Sequence, residues 1–343
     1  MRFYQTKEAE PLREIARKTG AAAEELSRFS GVPARGVVPP GISLLLPPDA
    51  RIPLAGGSRL YTSPSEERAE LLLCRMGESG GPRHSGSPGF GMAVREAGIL
   101  GREGITRMRG ADRRTSLPVM LAPAGWTGEI PDAEELANYL VQRGYRGLIL
   151  PLDRTAFHRL SPVLPPLTRA FSARAMLLGL RATEEAFLTC APLFSPLCPE
   201  VAFYLLTPSH LDRSLEERAR RIGEETDLPL RRKILLSLSS GAAWVTGQKS
   251  APLPYGEALK RLLAMAVTPR REDLLLAPLT LRGGGGTLYI EDPASLYPGL
   301  LRVGDSGFGG LAFDDASVMP FAPEMIRRLF CTADGTAGRR SQK

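Results

Sequence analysis

From Leu117 onward the chain alternates short apolar runs with amphipathic stretches, and this alternation limits the folds open to it. Strands are expected at Leu117–Pro123, Gly147–Leu152, Ala175–Leu180, Val201–Leu206, Lys233–Leu238, Thr287–Ile290 and Gly310–Phe313. Helices are expected at Asp132–Gly144, Glu184–Pro192, Leu215–Thr226, Tyr255–Ala266, Pro293–Gly304 and Pro323–Phe330. Apolar strands that alternate with helices build a parallel sheet covered by helices. About eight such units after Gly57 would close a (β/α)8 barrel. Leu60-Tyr61 is the expected first strand, and the second must lie inside the Gly-, Arg- and Ser-rich stretch 79–116. A doubly wound α/β sheet is the competing architecture, because periodicity does not separate the two.

Before this region, residues 1–48 read as strand, helix, helix, strand. Leu12, Ile15 and Ala16 share a helical face, Gly20 stops the first helix, and Ala21–Phe29 carries the second. Tyr4–Thr6 and Leu44–Leu46 flank them as strands. Residues 49–58 have linker composition, the long domain is expected over 59–332, and 333–343 is a polar tail.

The 343 residues hold 43% hydrophobic and 24% charged side chains, enough for a sizeable core, and 30 prolines with 36 glycines favour short loops. The net charge of +7 favours anionic partners. Its arginines are scattered without an aromatic-plus-basic stripe, so nucleic acid is not an expected partner. Cys74, Cys190, Cys198 and Cys331 have neither metal-ligand nor disulfide-framework spacing and read as buried thiols. With only His84, His158 and His210 beside them, no zinc site and no cofactor are expected. No stretch is long and apolar enough to span a bilayer, and Met1-Arg2-Phe3-Tyr4-Gln5 lacks the apolar run of a secretory signal. The chain is therefore expected to be made in the cytoplasm.

Tyr4, Leu12, Ile15, Ala16 and Leu26, followed by Pro40-Gly41-Ile42-Ser43-Leu44-Leu45-Leu46-Pro47, resemble the lysin-motif (LysM) family. Ala9-Glu10-Pro11 replaces that family's central Gly-Asp-Thr, and Ser30 stands where an Asn is usual. The resemblance implies a small βααβ module that binds N-acetylglucosamine-containing glycan, peptidoglycan or chitin, between two loops. Those loops are Lys7–Pro11 and Ser30–Val32, with Ala9, Glu10, Pro11, Ser30 and Gly31 as the candidate contacts.

Three segments of the long domain resemble family 18 glycoside hydrolases, in the version found with lysin motifs in spore-cortex and germination proteins. They are Asn138–Asp153, Pro229–Trp244, and Leu288–Leu296 followed by Gly310–Phe313. The last pair corresponds to the final two barrel strands in that family. The resemblance implies hydrolysis assisted by the sugar's own acetamido group, with one Glu as acid and a neighbouring Asp as its support. The signature Asp-Gly-x-x-x-Asp-x-Glu appears here as Arg146-Gly147-Leu148-Ile149-Leu150-Pro151-Leu152-Asp153. Asp153 thus occupies the acid position one methylene short, and displacement by about 1 Å can cost on the order of a hundredfold in rate. The family's Met-x-Tyr-Asp reads Leu206-Thr207-Pro208-Ser209, and its last-strand aromatic falls at Asp314.

The expected function is accordingly a glycan-binding protein of the spore or cell envelope with an inactive glycosidase-like barrel. Other envelope proteins are possible partners. Hydrolysis of cortical peptidoglycan with Asp153 as acid is the alternative. A third reading places acid–base or cation chemistry at Asp153, Asp314 and Asp315, which all fall at expected strand ends, against the plainer role of helix capping. Trp126 and Trp244 fit either a sugar platform or a half-buried aromatic. Gly283-Gly284-Gly285-Gly286 precedes a strand rather than a helix and reads as a turn, not a phosphate loop.

Overall fold

A computed structural model describes residues 1–50, 58–60, 72–76, 92–96, 118–121, 132–152, 160–194, 201–247, 249–265, 269–271, 278–283, 285–314 and 319–330. The N-terminal unit runs β1 (Arg2–Gln5), β2 (Glu10–Pro11), α1 (Leu12–Thr19), α2 (Ala23–Ser30), β3 (Val37–Val38), β4 (Ser43–Leu45) and β5 (Ser58–Leu60). Leu12, Ile15, Ala16 and Thr19 are the buried face of α1, at the three-and-four spacing of an amphipathic helix. Gly20 and Gly31 end α1 and α2 in left-handed backbone, both at φ 67°, which favours glycine. Strand β1 is central, antiparallel to β4 on one edge and to β5 on the other. Leu60 therefore belongs to this small sheet and not to the barrel: its strand adds to an existing antiparallel edge instead of starting a parallel ring.

Eight parallel strands then close on themselves. They are β6 (Leu72–Met76), β7 (Met92–Glu96), β8 (Pro118–Leu121), β9 (Gly147–Pro151), β10 (Leu177–Thr183), β11 (Phe203–Thr207), β12 (Ile234–Ser237) and the last strand, Gly310–Asp314. The first barrel strand is thus β6, and β7 lies inside the stretch 79–116, as expected. Between these strands run α3 (Ala133–Gln142), α4 (Leu164–Ser172), α5 (Glu184–Phe194), α6 (Leu215–Glu225) and α7 (Leu228–Arg231). Asp132, Ser214 and Asp227 cap α3, α6 and α7 with side-chain oxygens that accept backbone N–H groups.

Between β12 and the last barrel strand the chain inserts β13 (Ala242–Thr246), β14 (Lys249–Pro252), α8 (Tyr255–Ala264), β15 (Arg270–Arg271), β16 (Leu279–Gly283), β17 (Gly286–Ile290) and α9 (Pro293–Asp305). The five strands form an antiparallel sheet in the order β14-β13-β17-β16-β15. The Leu288–Ile290 strand is therefore not a barrel strand. Its apolar run is satisfied by antiparallel neighbours, and β12 pairs directly with the last barrel strand, β18 (Gly310–Asp314). Helix α10 (Ala322–Phe330) follows.

The N-terminal unit packs against the larger one through a shared core. The Ser43 amide donates to Asp292 Oδ2 at 2.7 Å, while Asp292 Oδ1 accepts from Ser295 and caps α9. Phe3 meets Tyr297 edge to face at 5.8 Å. Arg328 donates to the Leu46 carbonyl at 2.7 Å and lies over the Phe29 ring. Asp292→Ala removes a helix cap and orphans the buried Ser43 amide. It is expected to destabilise the protein by about 3 kcal/mol, read by chemical denaturation, and to make residues 1–50 more susceptible to limited proteolysis.

Candidate functional site at the barrel mouth

Strand alternation shows which side chains enter the barrel. Leu148, Leu150, Leu178, Leu180, Leu206 and Leu236 join Leu136, Leu140, Leu167 and Phe171 from the helices in one continuous outer core. Ile149, Phe203, Leu205, Leu235 and Ala312 are equally buried, alternate with that set and stand outside it, so they fill the barrel axis. Gly179 leaves room for the Phe203 ring: a Cβ there would meet it at 2.5 Å.

One step toward the C-terminal ends, the inward positions of β9 to β12 are Pro151, Arg181, Thr207 and Ser237. This is the end where barrel enzymes keep their chemistry. Register places Arg181 beside Pro151. The Arg181 side chain is half-buried and makes no hydrogen bond or ion pair with a described residue. Thr207 donates to the Ala182 carbonyl at 3.2 Å, and Ser237 is buried. Asp314 ends β18, two residues beyond Ala312, and Glu96 ends β7. Asp153, Asp315 and Trp126 lie outside the described residues, as do His84, His158, Cys198 and Cys331. Cys190 is a buried thiol on α5. Among the described residues no cluster of His, Cys, Asp or Glu fits a metal ion, and no helix is long and apolar enough to cross a membrane.

In the N-terminal unit, Ala9, Pro11 and Gly31 are exposed, whereas Glu10 and Ser30 are buried. Glu10 accepts the Tyr4 hydroxyl at 2.8 Å and pairs with Lys18, and Ser30 accepts the Val32 amide at 3.2 Å. Burial, and then the bond to Glu10, push the Tyr4 phenol well above its ordinary range. Gly31 abuts Pro320, which brings the second loop against the segment that follows β18.

Behind the mouth lies a buried polar network that the sequence did not disclose. Arg218 on α6 donates to Glu184 at 2.5 Å and to the Ser237 carbonyl at 2.7 Å, which ties α5, α6 and the end of β12 together. Glu291, fully buried after β17, accepts the Leu215 amide at 3.1 Å. Burial raises its pKa to about 7, opposed by the Leu215 amide and by Arg218. Beside it, the Tyr289 hydroxyl is buried without a hydrogen-bond partner, and burial and Glu291 push its pKa up. The only signals in the sequence were the adjacency Tyr289-Ile290-Glu291-Asp292 and an Arg one turn into a helix, and neither specifies a partner.

No family model matches the chain and no curated protein does, so sequence alone places it in no family. The fold, in contrast, is similar to that of solved spore cortex-lytic enzymes and a chitinase. The spore cortex-lytic enzyme SleL of Bacillus megaterium QM B1551 superposes with a TM-score of 0.54 at 10% identity, over 96% of this chain and 86% of that one. Its Bacillus cereus counterpart gives 0.51 at 9% over the same shares. A class V chitinase from Nicotiana tobaccum gives 0.53 at 11%, over 78% of this chain and all of its own. At such identities the likeness establishes the fold alone.

Two measurements check the network. The fold favours protonated Glu291, so its contribution is complete below the ordinary value of 4.5 and is lost as pH rises through about 7. The loss is worth about 3 kcal/mol, and Glu291→Gln is expected to flatten this part of the stability–pH curve. Tyr289→Phe removes an unpaired hydroxyl and is expected to leave Tm unchanged or raised. Tyr4→Phe breaks a buried bond to a carboxylate and is expected to cost about 1.5–3 kcal/mol in the same denaturation assay.

Proposed function

We propose that this chain holds N-acetylglucosamine-containing glycan of the spore or cell envelope without cleaving it. Residues 1–48 serve as a lysin-motif module whose sheet is extended by β5 (Ser58–Leu60), and a family 18-like barrel follows from β6 (Leu72–Met76) to β18 (Gly310–Asp314). One observation carries the reading: β9 to β12 present Pro151, Arg181, Thr207 and Ser237 toward the mouth, and Arg181 has no counter-charge among the described residues. Glycoside hydrolysis passes through a transition state with positive charge at the sugar ring. An arginine facing that centre, with Pro151 where the resemblance calls for a supporting Asp, raises the barrier instead of lowering it. The overall likeness to SleL and to chitinases supports glycan as the ligand class.

Ala9, Pro11 and Gly31 are the module's exposed contacts in this reading, with Glu10 and Ser30 shaping the loops from beneath. Trp126 would add an aromatic platform, and Asp153, Asp314 and Asp315 would be relics of a catalytic end. Full-length protein is expected to co-sediment with purified peptidoglycan and to release no saccharide detectable by mass spectrometry. Asp153→Asn is expected to behave identically. Released fragments that disappear in Asp153→Asn would overturn the non-catalytic reading in favour of an N-acetylglucosaminidase.

A further inference from the structure

The inserted sheet has two unlike faces. Ala242, Trp244, Leu279, Leu281, Leu288 and Ile290 point into the core or pack against it. The opposite face is built of two cross-strand rows. Ala243, Tyr289 and Thr280 are register partners in the first, and Val245, Thr287 and Arg282 in the second. At Tyr289 this face lies near Glu217 and Arg218 of α6 and Asp212 of the β11–α6 connection.

The second row lines a shallow, solvent-open depression of about 520 Å³ together with Gly247, Gly283, Gly285 and Gly286. Two features keep it open. A Cβ at Gly247 or Gly285 would meet nothing within 4 Å, and both glycines have left-handed backbone, at φ 58° and 81°. The Arg282 side chain is exposed and forms no hydrogen bond or ion pair with a described residue, and among the described residues no acidic side chain lines the depression. In the adjoining row, the Tyr289 hydroxyl is 5% exposed as a residue and has no partner. The wall therefore offers a planar cation, a threonine hydroxyl and an apolar valine to something that brings its own negative charge.

The geometry points to this depression as a binding site for a carboxylate-bearing saccharide unit of the glycan strand. Arg282 takes the carboxylate through its forked N–H groups, Thr287 hydrogen-bonds the sugar, and Val245 covers an apolar ring face. This rests on the glycan reading above and narrows it: the barrel discriminates acidic wall sugars from neutral chitin-like strands.

Calorimetric titration of the full chain tests it with three probes: a peptide-free N-acetylglucosamine–N-acetylmuramic acid tetrasaccharide, chitotetraose of equal length, and a free acidic dipeptide. Wild type is expected to bind the acidic tetrasaccharide most tightly. Arg282→Gln should weaken that affinity about tenfold, equivalent to about 1.4 kcal/mol, and leave chitotetraose unchanged. Arg282→Lys, which keeps the charge and loses the fork, should recover only part of the loss. Thr287→Val should weaken both saccharides modestly. Equal losses for both saccharides in Arg282→Gln, or none, would overturn the site while the glycan reading stands. Dipeptide binding as tight as that of the acidic tetrasaccharide would assign the depression to peptide carboxylates and overturn it as a sugar site. Wild type that binds no saccharide at all would sink the glycan reading itself.

Discussion

The Asp292 carboxylate joins the N-terminal unit to α9 through a single buried side chain. One oxygen closes the N-terminus of α9, where the unsatisfied amides favour a negative charge, and the other takes the Ser43 amide from the N-terminal unit. Both bonds are fully buried. A carboxylate in such surroundings is tolerable only because each oxygen has a donor, so its position is narrowly determined. The edge-to-face pair of Phe3 with Tyr297, the reach of Arg328 to Leu46, and the seat of Gly31 against Pro320 act in the same docking. The N-terminal unit is thus fastened beside the inserted sheet and not strung away from it.

Buried and exposed charges are distributed unevenly in this chain. Glu10, Glu184, Glu291 and Asp292 are all buried and are engaged by amides, hydroxyls or cations of the fold. Arg181 and Arg282, by contrast, have no described counter-charge. These acidic side chains build the scaffold together with Arg218, while the side chains of Arg181 and Arg282 have no described partner. With the chain's net charge of +7, that arrangement suits an anionic polymer better than a neutral one.

Much of the fold was legible because period and caps agree over short windows. Helix α6, for instance, starts at Ser214 and buries Leu215, Arg218, Ala219 and Ile222 on one face. Features that depend on distant pairing were not legible. Leu60 and Leu288–Ile290 both read as barrel strands, since an apolar run looks the same whether its neighbours are parallel or antiparallel. Helix α4 was missed because Pro165-Pro166 suggests a break, although proline fits the first turn, where no N–H is needed. At the candidate site, the replacement of the family acids could be read by motif. Arg181 could not, because its inward direction is set by barrel parity. Glu10 gave no sign that it would be held by Tyr4 and Lys18, contacts six and eight residues away.

The bond between Ser43 and Asp292 spans 249 residues of chain, which bears on how the protein is made. Synthesis at roughly 5–20 residues per second leaves roughly 12–50 s between the emergence of its two ends from the ribosome. For that interval the faces of β1 and β4 that later meet α9 have no cover, and Phe3 waits for Tyr297. Local contacts complete the N-terminal helices early, while the docked assembly belongs to the slow, nonlocal phase of folding. A nascent chain of this kind has a period of exposed apolar surface built into its topology, and holdase chaperones act on such surfaces.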